Sequence, residues 1–263
     1  MRIALIQMNV KSADKDHNIE HAFELLGQAA PYSDLLILPE LWTIGYDFHN
    51  FGKNVTRPGD PLIQRLSSFA AYHRVTLEAG TLPVKKDGAV KNTGLIFGPD
   101  GRILAHYSKR HLFYGYREAQ LMKPGTRRLQ TNIQGVEVGM AVCYELYFPK
   151  LWRKMAKSGV TLVMAPASWP AVHVKRWQIL TRARAVENGM CIAAVNMVGS
   201  YHGIRLGGHS CFINPLGEAQ TEGDFDEHIY YAFYDEEKYR DLGKHLAVIA
   251  EAKRTDERVG REK

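Results

Sequence analysis

Residues 135–167, GVEVGMAVCYELYFPKLWRKMAKSGVTLVMAPA, decide the fold. GVEVGMAVCYE (135–145) is a short apolar run with the length and residue types of a buried strand. LWRKMAKSG (151–159) reads as a helix ended by Gly159, a residue that enters the left-handed region without a Cβ penalty. VTLVMAPAS (160–168) is the next strand. Strand, helix and strand in sequence indicate α/β layers, and the rest of the chain continues the alternation. Downstream follow a helix over 174–189 closed by Gly189, then MCIAAVNMVG (190–199) and GGHSCFINPLGE (207–218). Upstream lie the strand IALIQMNV (3–10) and a helix over 14–30 with Ile19, Ala22, Phe23, Leu25 and Leu26 on one face. DLLILPE (34–40) is a strand stopped by Pro39, and residues 59–75 form a second helix. TLEAGTLPV (76–84) is a strand. NTGLIFGPDGRILAHYSK (92–109) is a hairpin turning at Pro99-Asp100-Gly101.

The 263 residues are 45% hydrophobic and 24% charged, which excludes disordered, collagenous and coiled-coil chains. No linker, low-complexity segment or repeat divides them, so one domain over 1–263 is expected, with a charged tail from about residue 251. No apolar run is long enough to span a bilayer, and the N-terminus reads as a strand and not a secretory signal. Three cysteines, Cys143, Cys191 and Cys211, fit a reducing compartment better than a disulfide scaffold. A cytoplasmic protein without membrane partners is expected. The net charge of +6 is spread over short clusters and the C-terminal stretch. No nucleic-acid motif accompanies it, so no nucleic-acid partner is expected.

The chemistry is expected where buried strands end. LLILP runs into Glu40, GMAV into Cys143-Tyr144-Glu145, and TLVMAPA into Ser168-Trp169. In α/β sheets ligands sit outside the carboxyl ends of strands. Taken alone, Cys143 reads more readily as a buried structural thiol than as a nucleophile. Other motifs are missing. Residues 208–212 lack the closing glycine of G-x-S-x-G, and there is no phosphate-binding glycine loop. His17 and His21 lie four apart without H-E-x-x-H, and the cysteine spacings make no zinc knuckle. Neither a metal nor a cofactor is expected.

These segments, taken in order, resemble the carbon–nitrogen hydrolase family (the nitrilase superfamily) over nearly the whole chain. LLILPELWTIGYD (35–47), YSKRHLF (107–113) and VGMAVCYELYFPK (138–150) carry the resemblance. So do ASWPAV (167–172), WQILTRARAVENG (177–189), AVNMVG (194–199) and GGHSCFINPLGE. The resemblance implies a four-layer α-β-β-α sandwich and a Glu-Lys-Cys triad of Glu40, Lys109 and Cys143. It also implies that REAQLMKPG (117–125) holds a second glutamate, Glu118, whose alternative is an exposed loop carboxylate beside Arg117. The implied substrate is a small aliphatic or ω-amide, hydrolysed through a thioester. N-carbamoyl amides and nitriles stay open on the same triad, and a non-enzymatic family member is disfavoured by the intact triad. A homodimer or higher homo-oligomer is implied as well.

One departure is informative. Many relatives read C-Y-D-x-R-F-P-E, whereas here Glu145 replaces the Asp and Tyr147 the Arg. An arginine there suits a substrate carboxylate. Tyr147 therefore favours a substrate without one, unless Arg117, Lys175 or Arg176 reaches the pocket instead. Tyr46, Phe113, Tyr116, Tyr144, Tyr147, Ser168 and Trp169 are the candidate pocket residues. Trp177 is read as core, and Cys191 and Cys211 as structural.

Overall fold

The computed structural model describes residues 1–48 and 51–245, and the expected tail from about 251 lies outside the described residues. Two six-stranded sheets form the centre. The first runs, in spatial order, His228–Phe233, Arg2–Gln7, Leu35–Ile37, Thr76–Lys86, Ala89–Phe97 and Ile103–Ser108. The second runs Ala219–Glu222, Cys211–Ile213, Cys191–Asn196, Leu162–Ala167, Val136–Met140 and Gln130–Ile133. In each sheet a parallel centre is flanked by antiparallel edges.

The layering follows from the two-residue period of a strand. Ile3, Leu5, Leu35 and Ile37 join one core with Met140, Leu162 and Met164 of the facing sheet. The alternate residues Ala4, Ile6, Leu36 and Leu38 pack on Ala22 and Leu26 of helix Lys15–Ala29 and on Leu62, Leu66 and Ala70 of helix Pro61–His73. Trp152 and Met155 of helix Pro149–Lys157 and Trp177 of helix Val174–Asn188 belong to the core of the second sheet. The fold is the expected α-β-β-α sandwich. Side-chain caps start helices Lys15–Ala29 and Pro61–His73: Asp14 accepts from the His17 amide and Asp60 from the Leu62 amide.

Two local readings are corrected, and three strands lie in segments the sequence left unassigned. The run 3–10 is broken at Met8, and Asn9–Lys11 pairs instead with Val198–Tyr201 in a small separate sheet. The strand expected over 135–145 ends at Met140, because residues 143–147 turn into a 3-10 helix. Residues 130–133 (QTNI), 219–222 (AQTE) and 228–233 (HIYYAF) are strands as well, and the polar make-up of the first two hides them in the sequence.

Candidate active site

Glu40, Cys143 and Ser168 follow neighbouring strand ends of the two sheets. The Glu40 amide donates to the Ala167 carbonyl at 3.4 Å, which fastens the first sheet's strand end to the second sheet's. Gly80, at φ +60°, sits in a bulge of strand Thr76–Lys86, and a Cβ there would lie 2.1 Å from the Pro39 carbonyl oxygen. Only glycine lets this strand approach the Glu40 segment so closely. Leu41, Tyr46, Arg117 and Cys143 all hold positive φ without being glycine. Such conformations are costly and collect at functional sites.

Lys109 is fully buried, and its Nζ donates to Glu40 Oε1 at 2.7 Å and to Glu118 Oε1 and Oε2 at 3.1 and 3.0 Å. The Asn92 side-chain amide donates to Glu40 Oε1 at 2.9 Å and to Glu118 Oε1 at 2.8 Å. Glu118 Oε2 also accepts from the Tyr46 hydroxyl at 3.1 Å and the Phe113 amide at 2.8 Å. Glu118 is therefore no exposed loop carboxylate: it is fully buried and both its oxygens are engaged. Glu40 differs, because its Oε2 is buried without a hydrogen-bond partner.

The charges explain the protonation of this cluster. Burial alone would push the Lys109 ammonium down, but Glu118 and Glu40 outweigh it and the net shift is upward. Burial raises Glu40 above the usual carboxylate range, and the Lys109 charge offsets only part of that. Burial and then the Glu40 charge push the Cys143 thiol well up, against the pull of Lys109. At neutral pH the resting cysteine is a thiol beside a carboxylate able to take its proton. Burial likewise keeps the Tyr46 hydroxyl protonated and donating.

Cys143 opens on a cavity of about 470 Å³. Tyr46, Phe113, Tyr116 and Tyr144 line it, and so do Tyr147, Ser168 and Trp169. All seven expected pocket residues are thus brought to the cavity. Tyr147 is 40% exposed at its edge and stacks on Trp169, with ring centroids 5.4 Å apart. Phe148, Pro170, His173 and Arg176 line it too and were not among the expected pocket residues, although Arg176 was one of three candidate cations. Arg117 and Lys175 do not line it.

Two bracing residues were also missed. Glu145 is fully buried between the segments carrying Lys109 and Cys143. Its Oε1 accepts from the Arg110 and His111 amides at 2.9 and 3.2 Å, its Oε2 accepts from the Val142 amide at 2.8 Å, and both oxygens accept from the Tyr107 hydroxyl at 2.9 Å. Arg184 Nε donates to the Leu146 carbonyl at 2.8 Å, tying helix Val174–Asn188 to the nucleophile turn. An arginine and a glutamate inside apolar segments were the available signals. Asn196 accepts from the Trp169 amide at 2.6 Å and donates to the Trp169 carbonyl at 3.3 Å, holding the far wall. Trp177 is core as expected, with its indole N–H donating to the His209 carbonyl. Cys191 and Cys211 are buried free thiols away from the cavity lining. Among the described residues no cluster of His, Cys, Asp or Glu could hold a metal ion, and no helix is long and apolar enough to cross a membrane.

The profile of the carbon–nitrogen hydrolase family matches residues 2–244, and the chain belongs to that family. It is 31% identical over 247 residues to a 2-oxoglutaramate amidase of Bacillus subtilis, covering 94% of this chain and 95% of that one. A carbon–nitrogen hydrolase superfamily protein of Xanthomonas campestris, with an arsenic adduct in its active site, superposes with a TM-score of 0.89. The two are 29% identical, with 95% of this chain and 96% of that one covered. A variant of the amidase from Nesterenkonia sp. AN1 superposes with a TM-score of 0.83 at 27% identity, covering 92% of each chain. In it the acetamide moiety of fluoroacetamide is covalently attached to the active-site cysteine.

Proposed function

We propose that the chain is an amidase that hydrolyses a small aliphatic or ω-amide through a thioester on Cys143. The observation that carries this reading is the division of labour between two buried carboxylates on one lysine. Glu118 is saturated and holds Lys109, whereas Glu40 keeps Oε2 free beside the thiol.

In this mechanism Glu40 takes the Cys143 proton as Sγ attacks the amide carbon. The developing oxyanion is stabilised by Lys109 Nζ and by the Tyr144 amide, which lies in the first turn of the 3-10 helix where no intrahelical acceptor exists. The tetrahedral adduct collapses as Glu40 returns its proton to the leaving nitrogen, and ammonia departs. Glu40 then activates water, which attacks the thioester carbon and releases the carboxylic acid and the thiol. Glu118 keeps Lys109 charged and in place.

The chain is read as one catalytic domain acting in the cytoplasm as a homodimer or higher homo-oligomer. Three free cysteines support the reducing compartment. The test is ammonia release over matched amides, nitriles and N-carbamoyl compounds. Amides should be turned over fastest. Faster turnover of nitriles or N-carbamoyl compounds would replace this reading by one of those activities on the same triad.

A further inference from the structure

The cavity wall contributed by residues 168–176 presents donors that have no acceptor. Ser168 is 9% exposed, and its Oγ is buried without a hydrogen-bond partner. Trp169 is 4% exposed, and its indole N–H, which can only donate, is likewise buried without an acceptor. Buried donors in native proteins are almost always satisfied, so an unsatisfied pair at a cavity wall calls for a ligand. Arg176 lines the same cavity from the first turn of helix Val174–Asn188, and among the described residues its guanidinium has neither an ion pair nor a hydrogen bond. His173 also lines the cavity and is the N-cap of that helix, with no side-chain cap bond. The positive end of the helix dipole therefore faces the same region. No Asp or Glu is among the described residues that line the cavity.

We propose that this wall is an anion subsite in which Arg176 and the Trp169 indole N–H hold the carboxylate of an ω-amic acid. Ser168, which lines the cavity together with Cys143, serves the end nearest the scissile amide. The proposal rests on the amidase reading and names its substrate class. Tyr147, taken alone, favours a neutral amide. The cation that Tyr147 lacks is supplied from the start of the next helix, and the Tyr147 ring stacks on Trp169 instead. A guanidinium paired to a carboxylate by charge-assisted hydrogen bonds is a strong discriminator against a neutral group of the same length.

The test compares succinamate with butyramide, which has the same chain length and no charge. Calorimetry on Cys143→Ala protein gives their affinities without turnover. Succinamate should bind more tightly by about tenfold or more, and Arg176→Gln in that background should remove most of this preference. Trp169→Phe, which keeps the ring and deletes the N–H, should reduce the preference by a smaller factor. Since Arg176 is exposed, added salt should weaken succinamate binding. Equal affinities, or a preference untouched by Arg176→Gln, would overturn the subsite. Ammonia release by the unmodified enzyme separates the two claims. Succinamate bound through Arg176 but never hydrolysed would sink the amidase reading and leave the subsite standing. Brisk hydrolysis with a preference indifferent to Arg176 would do the opposite.

Discussion

The floor of the site and its far wall both bury polar atoms, yet they do so in opposite ways. On the floor, Glu118 accepts from Lys109, Asn92, Tyr46 and the Phe113 amide, and Lys109 is shared with Glu40. On the wall, Ser168 Oγ and Trp169 Nε1 have nothing to bond. The Lys109–Glu118 pair, satisfied by the protein itself, is fixed before substrate arrives, which is what stabilisation of a developing charge requires, and the one carboxylate oxygen left open there, Glu40 Oε2, is the base. A wall of unsatisfied donors is completed only by ligand. Damage to the floor should therefore appear in kcat, and damage to the wall in KM.

The largest break of this contrast is at the reacting atoms. Cys143→Ala and Glu40→Gln should each lower ammonia release by ~10⁴-fold or more, because residues that act as a unit lose nearly everything singly. Both proteins should retain the wild-type circular dichroism. A Glu40→Gln enzyme within tenfold of wild type would remove Glu40 as the base.

Lys109→Ala should cost ~10²–10³ in kcat, the usual effect of deleting one oxyanion donor. It should also destabilise the fold by roughly 3–5 kcal/mol, since two buried carboxylates lose their shared cation. Denaturant melts measure this second effect, and wall variants should not show it.

Glu145 sharpens the comparison because it touches no substrate-facing atom. It ties the backbone at Arg110 and His111 to that at Val142. Glu145→Gln should lower kcat by about ten- to a hundredfold, the scale of a small misplacement of catalytic groups, while KM moves little. Partial rescue by Glu145→Asp would support positioning. A rise in KM with constant kcat would assign Glu145 to substrate binding instead.

Glu40 also sets the pH profile. Its ionised form is the active base, and burial raises its pKa above the ordinary 4.5. Activity should therefore rise with pH along an acid limb centred above that value. The upward shift of the Cys143 thiol and the Lys109 ammonium keeps the alkaline side flat. A limb centred at or below 4.5 would mean that Glu40 is solvated in the working enzyme.

The smallest effect on activity is expected at Glu78, which pairs in register with Ile37 and Ile96, is fully buried, and leaves both oxygens without hydrogen-bond partners. Burial raises its pKa well above the ordinary value. A group raised on folding gives its full stability below the unfolded pKa and loses it as pH rises through the folded one. The melting temperature of wild type should accordingly fall with rising pH more steeply than that of Glu78→Gln. Parallel curves would show that folding leaves the pKa of Glu78 unchanged and would overturn its burial as an unpartnered carboxyl.

The strand ends that carry Glu40, Cys143 and Ser168 were legible because apolar runs stopping at polar residues are local patterns. That Lys109 meets Glu40, 69 positions away, is a property of the sandwich and no local pattern carries it. The resemblance alone pointed to Lys109. The contrast between Glu118 and Glu40 was hidden for the same reason, since it depends on Asn92, Tyr46 and the Phe113 amide arriving from separate segments. Arg176 was visible as a charge near Trp177, but its place on the cavity depends on how residues 170–174 turn into the helix.

The proposed hydrolysis rests on the covalent step at Cys143. Peptide mapping by mass spectrometry after brief exposure to fluoroacetamide tests it most directly. An acetamide-sized adduct on the peptide containing Cys143, forming in step with loss of activity while Cys191 and Cys211 stay unmodified, is the predicted result. Loss of activity with Cys143 unmodified would contradict it.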